Sequence, residues 1–129
     1  MSQDLFEAAL AARAMAYAPA SKFLVGAAIR GKNGKIYAGC NIENASYPEG
    51  WCAETSAISH MIMDGEQSLT EVCVIGTGDA FCTPCGGCRQ RLNEFGSRQV
   101  PVHVATDSGI VDTLLLGDLL PNAFKLDRV

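Results

Sequence analysis

The sequence predicts an α/β fold, a three-layer α/β/α sandwich with a mixed sheet of about five strands. Three observations carry this. Apolar residues recur at helical spacing in separate segments, they alternate with period two across one hairpin, and apolar runs of strand length are interleaved with the helical segments.

Residues 5–16 carry Leu5, Ala9, Ala12 and Ala16 at helical spacing, with Asp4 and Glu7 near the positive helix start and Pro19 beyond its end. Phe23, Val25, Ala27 and Ile29 then alternate along a strand. Asn33-Gly34 supplies the reversal, and Ile36, Ala38 and Cys40 alternate on the return. A second helix is expected over 52–64, where Ala53, Ala57, Ile58 and Met61 share a face and Gly65 follows as a cap. Residues 71–76 read as a buried strand, 86–95 as a third helix closed by Gly96, and 100–105 as another strand. The tail, with Leu114-Leu115-Leu116 and Leu119-Leu120-Pro121, is apolar but too short for its periodicity to choose helix or strand.

With 129 residues and no repeat, low-complexity tract or linker, one domain over 1–129 is expected. A hydrophobic share of 48% against 19% charged is globular rather than disordered. The net charge of −4, with ten scattered Lys and Arg, argues against a surface that neutralises nucleic-acid phosphates. No apolar run is long enough to span a bilayer, and Met1-Ser2-Gln3-Asp4 lacks the basic start of a secretory signal, so a cytoplasmic protein is expected. In that reducing compartment six cysteines read as free thiols or metal ligands.

Cys52, Cys85 and Cys88 fall at two expected helix starts, with Glu54 two residues after the first. Three thiolates without a fourth protein ligand suit an open, catalytic zinc site, since structural zinc is normally closed by four. C-x-x-C also serves structural zinc and redox pairs, and Cys82-Thr83-Pro84-Cys85 is a second such pair. Glu54 separates these readings, because a brace or a disulfide needs no proton carrier. Zinc with three thiolates has a net charge of −1. Unsatisfied amides at the helix starts can draw off part of it, and Arg89 is the cation expected to add a full charge.

Cys52-Ala53-Glu54 together with Pro84-Cys85-Gly86-Gly87-Cys88-Arg89-Gln90 resembles the short homotetrameric cytidine deaminases. The likeness runs on through Tyr17-Ala18-Pro19, Ser21-Lys22-Phe23, Val25-Gly26-Ala27-Ala28, residues 41–48, Glu94-Phe95-Gly96, Leu119-Leu120-Pro121 and Phe124. The resemblance implies one Zn²⁺ per subunit on Cys52, Cys85 and Cys88, with Arg89 supporting the cluster. Glu54 is then the proton shuttle in the hydrolytic deamination of cytidine and 2′-deoxycytidine in pyrimidine salvage, a chemistry established for the zinc deaminases as a class. It also implies that Phe23, Asn41, Glu43 and Ala53 line the nucleoside site, Asn41 and Glu43 by hydrogen bonds to the ribose. A carboxylate at Glu43 would repel a 3′-phosphate, which favours a free nucleoside over a polynucleotide. Phe124 is expected to stack in a neighbouring subunit's site, making the active site a property of a homotetramer.

Three positions depart from the family pattern. Thr55 stands where arginine commonly follows Cys-Ala-Glu, Ala20 takes a commonly aromatic position, and Lys125 replaces a glycine after Phe124. The first leaves the sulfur cluster one cation short, so Arg89 and the helix starts are expected to carry more of its charge. His60 and His103 are expected to be structural, as Cys52 holds the place of the histidine ligand in other deaminases. Cys40 and Cys73 are expected in the core.

Overall fold

The computed structural model describes residues 2–126. Met1 and residues 127–129, which the one-domain expectation also includes, lie outside the described residues. The elements are α1 (Ser2–Arg13), β1 (Gly26–Gly31), β2 (Ile36–Cys40), a 3-10 turn (Tyr47–Glu49), α2 (Ala53–Met63), β3 (Leu69–Ile75), α3 (Gly86–Phe95), β4 (Pro101–Thr106), β5 (Gly109–Leu115) and α4 (Leu116–Leu119).

Five strands form a mixed sheet in the order β2-β1-β3-β4-β5. β3 and β4 pair in parallel and the other neighbours are antiparallel. A parallel pair needs a crossover, and α3 supplies it. Strand alternation then sorts the core into two layers. Ala27, Ile29, Val72, Val74 and Val102 face Ala53, Ala57, Ile58 and Met61 of α2 and Leu92 of α3. On the other face Ala28, Cys73, Ile75 and Ala105 meet Leu5, Phe6 and Ala9 of α1. The expected three layers are present, and Cys73 is a core residue while Cys40 is half-buried.

Three boundaries differ from the periodicity, each because a longer-range partner wins. α1 stops at Arg13 rather than Ala16, since the Tyr17 N–H donates to Asn41 O (3.0 Å) and pulls the chain into a bridge with Ile42. β1 starts at Gly26 rather than Phe23. Before it, the Leu24 N–H donates to Thr77 Oγ1 (2.8 Å) and the Val25 N–H to Asn41 Oδ1 (2.9 Å), side chains standing in for a ladder. The ambiguous tail becomes β5, which pairs with β4, and α4, whose Leu116 is fully buried against the α2 and α3 layer.

Gly39 places the second helix. A Cβ there would lie 2.5 Å from Ala57 N and 2.6 Å from Ala53 O, so the α2 backbone rests directly on β2. Any larger residue lifts the helix whose first turn carries the candidate site.

Candidate active site

Cys52 is the N-cap of α2 and Cys85 the N-cap of α3, both in extended backbone, and Cys88 lies in the first turn of α3. Neither cap makes a side-chain hydrogen bond to its own helix, so the first-turn amides keep free donor capacity near the sulfurs. The three Sγ atoms lie within 4.8 Å of one another, and Cys52 and Cys85 are 3.8 Å apart. Tetrahedral zinc–thiolate bonds of about 2.3 Å set sulfurs about 3.8 Å apart, so this donor set fits a zinc ion. Burial and the hydrogen bond to Cys52 push the Cys88 thiol up, the hydrogen bond contributing more. A bound divalent cation reverses that preference by favouring thiolates.

Glu54 is buried, 4% exposed, one turn from the sulfurs. Burial raises its pKa above the ordinary carboxylate value. Its own backbone N–H, the Cys88 side chain and the charge of Arg91 act weakly the other way. A carboxyl group with raised proton affinity beside an open metal position can both take and return a proton.

A cleft of about 360 Å³ opens onto this cluster. Its walls include Asn41, Glu43, Trp51, Ala53, Cys82 and Thr83, with Cys52, Glu54 and Cys85 at one end. Asn41 and Glu43 therefore share a cavity with the sulfurs. Asn41 also clamps the chain before β1, since its Nδ2 donates to Phe23 O (2.9 Å) while Oδ1 accepts from Val25 N, leaving the second N–H and a lone pair for a ligand. Glu43 accepts from Ala20 N (2.9 Å), Ser21 N (3.2 Å) and the Ser21 hydroxyl. That hydroxyl is the largest cause of its lowered pKa.

Phe23 and Phe124 stand differently from the other expected contacts. The Phe23 ring lies against Gly76, beside Cys82 of the cleft wall. Phe124 does not line the cleft of its own chain; it is 70% exposed, and its carbonyl accepts from Gln90 Nε2 (3.2 Å). Cys82 is half-buried in the cleft wall and outside the sulfur cluster, its thiol pushed up to about 11 chiefly by burial. Asn44 caps its own loop, accepting from Ser46 N (2.9 Å). His60 pairs with Ala38 O, and His103 sits between Glu71 and Thr113, both away from the sulfurs.

Arg89 is anchored on three oxygens. Its guanidinium bonds Pro84 O (2.7 Å), Leu119 O (3.0 Å) and Thr83 Oγ1 (3.1 Å), bracing the loop that delivers Cys85 rather than touching a sulfur. Two other groups meet Cys88 Sγ: Arg91 Nη1 at 3.8 Å and Thr55 Oγ1 at 3.7 Å. The sequence signal for Arg91 is its position three residues after Cys88 on a helix starting at Gly86, which sets both on one face. Trp51, Cys82 and Thr83 of the cleft wall carry no comparable local signal.

Three converging thiols and a buried carboxyl at one cleft fit the centre of a zinc-dependent hydrolase. The model for the cytidine and deoxycytidylate deaminase zinc-binding region matches residues 1–104. A cytidine deaminase of Sporosarcina psychrophila is 40% identical over 114 residues, covering 88% of this chain and 84% of that protein. One of Halalkalibacterium halodurans is 36% identical, covering 97% and 95%. The crystal structure of cytidine deaminase from Burkholderia pseudomallei superposes with a TM-score of 0.90 at 41% identity, covering 96% of this chain and 99% of that one. The chain belongs to the cytidine and deoxycytidylate deaminase family.

Proposed function

We propose that this protein is a cytidine deaminase that converts cytidine and 2′-deoxycytidine to the uracil nucleosides and ammonia, serving pyrimidine salvage. The observation that carries the reading is Glu54, buried beside three converging sulfurs at the end of a cleft rimmed by Asn41 and Glu43. Cys52, Cys85 and Cys88 would hold one zinc ion, which supplies Lewis acidity and lowers the pKa of water at its open position.

The chain's own residues do the rest. Glu54 takes a proton from the attacking water and delivers it to the ring nitrogen N3, which makes C4 electrophilic. The water oxygen bonds to C4, Glu54 takes its remaining proton and passes it to the amino group, and the C4–N bond breaks as ammonia leaves and the C4 carbonyl forms. Ala53 lines the cleft at the start of α2, while Asn41 and Glu43 orient the ribose. The six cysteines are all free thiols, in keeping with a reducing cytoplasm. Among the described residues no helix is long and apolar enough to cross a membrane.

The test combines metal content with turnover. The purified protein should contain one zinc per chain and release ammonia from cytidine. Glu54→Gln should keep its zinc yet lose roughly 10²- to 10⁴-fold in turnover. Unchanged turnover in that variant, or wild-type protein without zinc, would sink the reading.

A further inference from the structure

Resting on the zinc reading above, the question is which group balances the surplus negative charge of three thiolates around one divalent ion. Cys88 poses it most sharply, because its sulfur is fully buried. Arg89 is held by three oxygen partners elsewhere. Arg91 instead folds back over the first turn of α3 and directs Nη1 at the Cys88 sulfur, 3.8 Å away. The exposed Arg91 side chain lies along the helix over Gly87. Arg91 Nη1, Cζ and Nη2 would lie 3.2, 3.6 and 3.7 Å from a Cβ at Gly87, so the absence of a side chain there lets the group lie against the helix. From the α2 side, the Thr55 hydroxyl reaches the same sulfur at 3.7 Å.

We propose that Arg91 is a positioning residue of the metal centre: its guanidinium, lying over Gly87, is the cation that balances the buried Cys88 thiolate and helps set how tightly the site holds zinc. Arg91 does not line the cleft, so it acts through the sulfur and not through the nucleoside. The Thr55 hydroxyl, which would donate to a thiolate, meets the same sulfur from the α2 side, and Arg91 supplies the charge from the α3 side. Groups that hydrogen-bond a first-shell ligand typically change metal affinity by about tenfold to a hundredfold when lost.

The experiment is zinc competition against a colorimetric chelator on the full-length protein, with far-UV circular dichroism showing that each variant is folded. Arg91→Gln should surrender zinc at roughly 10- to 100-fold lower chelator concentration than wild type. Arg91→Lys, which keeps the charge, should recover most of that loss. Equal zinc affinity in wild type and Arg91→Gln overturns the proposal. So does Arg91→Lys falling as far as Arg91→Gln. Wild type that binds no zinc overturns the metal reading beneath it.

Discussion

Both Glu43 oxygens already accept hydrogen bonds from Ala20 and Ser21, so the carboxylate is oriented before any ligand arrives. Such preorganisation favours a residue that reads a ribose hydroxyl. Glu43→Ala should raise KM for cytidine by about tenfold or more with kcat little changed, because the contact is made equally in ground and transition states. Ser21→Ala, which loosens the carboxylate without removing it, should do less, and steady-state kinetics on the three proteins checks the order. At this scale the sequence was most legible where chemistry restricts residue type. Cys52, Cys85 and Cys88 were found because thiols at two helix starts have few other uses. Arg89 stands out in the sequence as the neighbour of Cys88, but its anchors on Pro84, Thr83 and Leu119 come from the tertiary structure, while Arg91 is set on the Cys88 face by its spacing along α3.

Glu71 on β3 ties three other elements together. It accepts from Arg30 of β1 (3.1 Å), from Ser2 of α1 (2.8 Å) and from His103 of β4 (2.6 Å), while Arg30 also pairs with Asp4 (2.7 Å). Burial alone would raise the Glu71 pKa, but the hydrogen bonds from His103, Ser2 and Arg30 outweigh it and hold it below the ordinary value. A carboxyl depressed in the folded state contributes stability that is present above its unfolded pKa and lost as pH falls through its folded pKa. Urea midpoints measured from about pH 7 down to pH 3 should therefore decline on the acid side. Glu71→Gln should be less stable by about 1–3 kcal/mol near neutrality and show a flatter acid limb. At the scale of elements the hairpin, α2, α3 and β3 were legible from periodicity and caps. β5 was not, because as a half-exposed edge strand it lacks a buried alternation, and its partner lies across a turn on β4.

Tyr17, Ile42 and Trp51 are joined by two isolated bridges, and all three are exposed, as is Tyr47 nearby. The homotetramer that the resemblance implies would have to cover such exposed side chains, and its mass tests it. Light scattering should give about four times the 13.7 kDa chain mass. Phe124→Ala should lower turnover without releasing zinc if its ring completes a neighbour's site, and a catalytically normal variant would remove that role. What the sequence determined by itself was the sheet-and-helix order, the ligand chemistry and the family, because these follow from residue type and short spacing. Only the tertiary structure decided where Arg89 is anchored, where the apolar tail goes and which loop residues share a cleft with Glu54. Those depend on contacts between segments far apart in the chain, whose geometry no local pattern encodes.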